Sequence, residues 1–268
     1  MPTTSTRPHI AWEARGDGPP VLLVMGFGMR GVVWRPVVTR LAVDHRAVTF
    51  DNRGMGASDP ADGPYSLADL ARDTLRVADD AGLPAFHLVG VSMGGMIAQE
   101  VALAAPDRVR SLVLIATQPG GPRAWVPPLP TVPLLAAIGL GTRLNRRLFP
   151  RLLHPPGSLD ALTPADLEQR WTDAHATSPD PRQRRLQLRA IRGHDTRDRL
   201  GSIAAPTLVV KPLRDRMCHP SHSDTLAAGI PGARLLELDA GHGLILHAAD
   251  ALTEAIRDHV ATAGRTPA

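Results

Sequence analysis

The segment Phe86-His87-Leu88-Val89-Gly90-Val91-Ser92-Met93-Gly94-Gly95-Met96-Ile97-Ala98 restricts the fold more than any other part of the chain. Leu88, Val89 and Val91 form a short apolar run that stops at a serine, and residues 95–105 then carry a helical pattern. Gly90 and Gly94 flank Ser92 at two residues on either side, a Gly-x-Ser-x-Gly arrangement in strand-turn-helix context. A strand that turns this sharply into a helix leaves no room for a Cβ on either flank, so both positions call for glycine. The turn lifts the Ser92 hydroxyl off the sheet, and the free N–H groups of the helix start favour negative charge beside it.

The rest of the chain is organised around that turn. Apolar runs at 21–25, 47–50, 111–116, 207–211 and 234–238 read as strands, with another short one at 10–14. Helical patterns occupy 32–43, with Trp34, Val37, Val38 and Leu41 inward, and 248–260. A third helix opens at Ser66-Leu67-Ala68-Asp69, a serine cap with an acidic third position, and runs to about Asp80. This alternation predicts an α/β fold with a mostly parallel sheet wrapped by helices. Composition changes at Gln118, where Pro119, Pro122, Pro127, Pro128, Pro130 and Pro133 precede several leucines. We therefore expect a core of 1–117 and 201–268 and a mostly helical cap at 118–200. Met25 of the core with Trp125 and Phe149 of the cap are the substrate-pocket candidates, and Arg182, Arg184, Arg185, Arg189 and Arg192 read as a solvated face.

Several classes are disfavoured. The basic residues are almost all arginine, the net charge is +4 and spread along the chain, and aromatics are 3%, so no nucleic-acid partner is expected. One cysteine, Cys218, excludes an internal disulfide, the start lacks a secretory apolar stretch and no run reaches transmembrane length. A cytoplasmic protein without a membrane partner is the expectation. Cys218, His219 and His222 lack a second ligand pair, so no metal is expected. Neither a phosphate-binding loop nor a dinucleotide fingerprint occurs, so no cofactor is expected; the partner is a small-molecule substrate.

Serine attacks only when a base takes its proton, and the base works only when a carboxylate holds it in the right tautomer. Asp215 stands four residues past the 207–211 strand, and His242 lies in a Gly-His-Gly turn after the last strand. In a parallel sheet Ser92, Asp215 and His242 all fall at strand C-terminal ends, in the order serine, acid, histidine. Asp239, three residues before His242, is the alternative acid. Backbone N–H groups of Phe27, in the Met25-Gly26-Phe27-Gly28 loop, and of Met93 are the candidate oxyanion donors. Asp51 and Arg53 are expected to tie the polar 51–59 loop together beneath the site.

With these motifs in place the chain resembles the α/β-hydrolase superfamily over nearly its whole length outside 118–200. Within it the chain looks like the bacterial branch of cofactor-free esterases, haloperoxidase-like proteins and antibiotic-tailoring methylesterases related to aclacinomycin methylesterase. The resemblance implies the fold, a lid, and hydrolysis of an ester, thioester or lactone through an acyl-enzyme. Two departures stand out: relatives usually carry His-Gly where this chain has Met25-Gly26, and often glycine where it has Pro212. The alternatives are a cyclising or lyase-like enzyme of secondary metabolism on the same fold, and a non-catalytic ligand-binding member.

Overall fold

The computed structural model describes residues 1–121, 124, 131, 150–160, 162, 163, 165, 168, 169, 172 and 180–264. Its strands are β1 (Trp12–Arg15), β2 (Pro20–Val24), β3 (Arg46–Phe50), β4 (Phe86–Val91), β5 (Val109–Ile115), β6 (Thr207–Pro212) and β7 (Arg234–Leu238). They form one sheet in the order β1-β3-β2-β4-β5-β6-β7. Only β1, against β3, runs antiparallel. The described helices are α1 (Arg35–Leu41), α2 (Leu67–Asp80), α3 (Met93–Ala104), α4 (Pro181–Arg192), α5 (Ser221–Gly229), α6 (Leu244–His247) and α7 (Ala249–Ala263).

The period of two along the central strands sends alternate side chains to opposite faces, and both faces are covered. Leu22 and Val24 join Leu88, Leu112 and Leu114 under α2 and α3, where Leu70, Val77, Ile97 and Val101 pack. Val21 and Leu23 join Val89, Val113 and Val210 on the other face with Trp34, Val37 and Leu41 of the α1 region and Leu252, Ile256 and Val260 of α7. Each such buried aliphatic side chain contributes roughly 1.5–3 kcal/mol, so this three-layer core is what holds the loops in place.

Local signals explain the boundaries. At the start of α2, Ser66 Oγ accepts from Asp69 N at 3.2 Å while Asp69 Oδ2 accepts from Ser66 N at 2.8 Å, a reciprocal cap. The helix expected at 32–43 is split: Gly31–Trp34 is a 3-10 turn and α1 begins only at Arg35. Pro36, in the first turn, has no N–H to donate back to that turn, which is why the α-helical bonding starts there.

Chain order crosses over between β2 and β4: from β2 it moves outward to β3 and then returns to the other side of β2. Loops leaving the C-terminal ends of β2 and β4 therefore diverge and open a crevice, where ligands of open α/β sheets collect. Of the expected cap at 118–200, Trp125 and Phe149 lie outside the described residues. α4 is described, and its arginines face outward while Gln183, Gln187, Ala190 and Ile191 are buried. No helix among the described residues is long and apolar enough to cross a membrane.

Candidate active site

Ser92 sits between the last residue of β4 and the first of α3 with φ 55° and ψ −123°. This backbone is sparsely populated by L-residues and costs on the order of 1–3 kcal/mol, so neighbours must over-determine it. They do: Ser92 N donates to Ile115 O at 2.9 Å, and Ser92 O accepts from Thr117 Oγ1 at 2.7 Å. The flanking glycines are required by close approach. A Cβ on Gly90 would meet Gly94 O at 2.3 Å, and one on Gly94 would meet Val24 O at 2.1 Å.

The loop after β2 reaches the same point. A Cβ on Gly26 would lie 3.2 Å from Ser92 Cβ, so the Gly26-Phe27 backbone runs directly beside the serine. Phe27 is partly buried against the α2/α3 side of the core, and Met93 opens α3, where first-turn N–H groups have no carbonyl of their own helix. Met25 is 4% exposed and packs with Val33 and Trp34 in the other core layer; its carbonyl accepts from Asn52 Nδ2 at 3.0 Å.

Asp215 and His242 follow β6 and β7 at this sheet edge, and both are buried. Asp215 Oδ2 lies 2.8 Å from His242 Nδ1. The other carboxylate oxygen accepts from Met217 N at 2.7 Å and Cys218 N at 2.9 Å, so both oxygens are satisfied and the carboxylate is held in one orientation. Pro212, the departure in this loop, closes β6 and its carbonyl accepts from Asp215 N at 3.3 Å. Engagement of Nδ1 leaves Nε2 as the ring nitrogen able to take a proton. Asp239, the alternative acid, is 64% exposed at its side chain and pairs with Arg214 instead.

One pairing differs from expectation. Asp51 does brace its loop, accepting from Gly31 N at 2.7 Å and Ala57 N at 3.0 Å, but Arg53 turns away from it. Arg53 makes a two-pronged bond to Asp73 of α2, at 2.6 and 2.7 Å, because α2 presents a buried carboxylate where the loop passes over it. Among the described residues no three His, Cys, Asp or Glu side chains are grouped to hold a metal ion.

The α/β hydrolase fold family model matches residues 19–249. The chain belongs to the α/β-hydrolase family. The hydrolase is 36% identical over 245 residues to the protein provisionally named carbamate hydrolase RutD of Azorhizobium caulinodans, covering 90% of this chain and 89% of that one. Among solved structures, the enol-lactonase from Burkholderia xenovorans LB400 matches with a TM-score of 0.79 at 26% identity, over 94% of this chain and 96% of that one. The provisionally named non-heme bromoperoxidase BpoC of Mycobacterium tuberculosis H37Rv matches with a TM-score of 0.80 at 28% identity, over 95% and 96%. These relatives put the hydrolase among enzymes of the bacterial esterase and haloperoxidase-like branch.

Two groups beside the site escaped the motif analysis. Gln187 of α4 is fully buried, and its Oε1 accepts from Gly28 N at 2.9 Å, next to Phe27. One turn earlier, Gln183 bonds both the N–H and the carbonyl of Ala61, at 2.9 and 3.0 Å. Their signal was available: glutamines four apart at the inward positions of an arginine-rich helix, where apolar residues are the default. The second group is His247 with His154, which grips the turn that carries His242.

Proposed function

We propose that the hydrolase cleaves an ester, thioester or lactone bond of a small to medium, largely apolar substrate through an acyl-enzyme on Ser92. In this mechanism Ser92 Oγ attacks the substrate carbonyl carbon while its proton passes to His242 Nε2. The oxyanion that forms accepts from the N–H groups of Phe27 and Met93. Collapse of the tetrahedral intermediate expels the alcohol or thiol, which takes the proton from His242. Water then repeats the sequence, giving up its proton to His242 and releasing the acid. Asp215 keeps the imidazole in the tautomer with its hydrogen on Nδ1 and stabilises the imidazolium. The segment 118–200 acts as the cap over this centre.

The observation that carries the reading is the buried Asp215–His242 contact of 2.8 Å at the sheet edge where Ser92 is held at φ 55°. No such carboxylate–imidazole pairing with a strained serine is needed to build the sheet. A second reading, cleavage of a carbamate, is favoured by the 36% identical relative of that name. It asks the same residues to act on a carbonyl bearing nitrogen.

The test is intact-protein mass after incubation with a fluorophosphonate, for wild type, Ser92→Ala and His242→Ala, beside matched p-nitrophenyl esters and carbamates. One adduct on wild type, absent from Ser92→Ala and much slowed in His242→Ala, is the expected result. Faster turnover of the carbamate than of the ester with the same leaving group selects the second reading. No adduct and no turnover by well-folded protein overturns both.

A further inference from the structure

The turn that carries His242 is fastened by two imidazoles that the mechanism does not use. Gly241 N donates to His247 Nε2 at 3.2 Å, and Gly243 N donates to Leu153 O at 2.7 Å. A Cβ on Gly241 would meet the backbone Leu153 O at 2.7 Å, which calls for glycine there, and one on Gly243 would press on the His154 ring, with Cε1 at 2.5 Å. The rings of His154 and His247 meet edge to face at 5.0 Å between centroids, with Nδ1 of one 2.9 Å from Nδ1 of the other.

Donor and acceptor logic fixes the protons. A backbone N–H can only donate, so His247 Nε2 must be the bare nitrogen and its hydrogen must sit on Nδ1. That hydrogen points at His154 Nδ1, which must accept it, so His154 carries its own hydrogen on Nε2. Were His247 in the other tautomer, two N–H groups would face each other at Gly241. Burial also lowers the pKa of His247, in keeping with a neutral ring.

We propose that His247 is a positioning residue for His242: in its Nδ1–H tautomer, fixed by the Gly241 N–H that Nε2 accepts, it holds the 241–243 turn so that the His242 ring keeps its place against Asp215. The proposal rests on the reading of His242 as the base. A displacement of about 1 Å at a catalytic group costs on the order of 10²-fold in rate, which sets the scale of the effect.

The experiment has two arms. In wild-type protein carrying 15N-labelled histidine, long-range proton–nitrogen spectra at neutral pH are expected to show His247 as the Nδ1–H tautomer and His154 as the Nε2–H tautomer. His247 with its hydrogen on Nε2 overturns the proposal, and this arm needs no turnover. In the second arm, His247→Leu and His247→Gln are compared with wild type for the rate of fluorophosphonate labelling and for kcat and KM on a p-nitrophenyl ester. His247→Leu is expected to lose roughly 10- to 100-fold in kcat and in labelling, with KM nearly unchanged. His247→Gln, whose Oε1 can accept from Gly241 N, should recover most of that loss. Equal impairment of the two variants, or wild-type rates in both, overturns the proposal. If wild type itself neither labels nor turns over, the assignment of His242 as base fails, whereas the tautomer arm still decides the role of His247.

Discussion

Replacing Ser92 by glycine should make the protein more stable while removing its proposed nucleophile. The backbone at φ 55° and ψ −123° costs a side-chain-bearing residue about 1–3 kcal/mol, and glycine tolerates it freely. Against that gain stands the extra freedom of glycine in the unfolded chain, about 0.4–1 kcal/mol. The net is a stabilisation of about 1 kcal/mol, which for a chain of this size raises Tm by roughly 2–4 °C. The proper reference is Ser92→Ala, which also lacks the hydroxyl but keeps the Cβ and therefore the strain. Thermal and urea unfolding of the two variants, with equal m-values, isolates the backbone contribution. The hydrogen bonds that pin this residue, to Ile115 O and from Thr117 Oγ1, use only its main chain and survive in both. If Ser92→Gly is less stable than Ser92→Ala, the turn is not strained in the way its dihedrals indicate and the reasoning fails.

Gly94→Ala should unfold at markedly lower urea than wild type, by about 3 kcal/mol or more, because its Cβ would lie 2.1 Å from Val24 O and backbone cannot step aside; a variant within experimental error of wild type would contradict that contact. His87 is held neutral by burial, with its pKa lowered to about 4, below the 6.5 of an unfolded chain. The folded pKa being the lower one, its contribution vanishes only well above pH 6.5, and stability is lost as the unfolded state protonates, by about 2 kcal/mol at pH 5. His87→Gln should therefore flatten the stability profile between pH 7.5 and 5, and parallel profiles would refute this origin. Gln187→Leu removes the acceptor of Gly28 N. Hydrogen exchange should then speed up at Gly28 while Ser92 N–H, bonded to Ile115 O, still exchanges only through global unfolding, and ester acylation should slow; unchanged exchange at Gly28 counts against the contact.

The parts of this molecule that were legible in the sequence are those where one residue type satisfies a constraint that no other can. Gly90 and Gly94 announce the turn at Ser92 because backbone atoms occupy the space a Cβ needs, and that constraint is local. The apolar runs announce strands because both faces of the sheet are covered, and Ser66 with Asp69 announces a helix start because the cap closes within one turn. Asp215 and His242 were found through chain order, since a parallel sheet returns every strand to the same edge. Partner choice across the chain was not legible. Arg53 could in principle have bonded Asp51, two residues away, and takes Asp73 because α2 lies there; Asp239 is nearer to His242 in sequence than Asp215 is, yet points to Arg214. Gln187 and His247 carry no motif, and their meaning appears only when Gly28 and Gly241 are found against them.

These contacts divide the site into two sets of anchors. Ser92 is fixed by the sheet, through Ile115 and Thr117, and Asp215 by its own loop, through Pro212, Met217 and Cys218. The two loops that would meet developing charge are fixed from elsewhere: Gly28 beside Phe27 by Gln187, and the His242 turn by Leu153 and by His154 through His247. Of those outer anchors, Gln187, Leu153 and His154 belong to 118–200, the segment read as the cap, while His247 belongs to the core. A residue that shapes the substrate cavity from that segment therefore shares its backbone with one that aims the proposed oxyanion donors or helps aim the proposed base. Binding energy gained there can be used in the transition state rather than only in the bound substrate, which is the condition for raising kcat rather than merely lowering KM. Substitutions in this segment should for that reason shift specificity and rate together, while the strained serine, tied to the core, keeps its geometry.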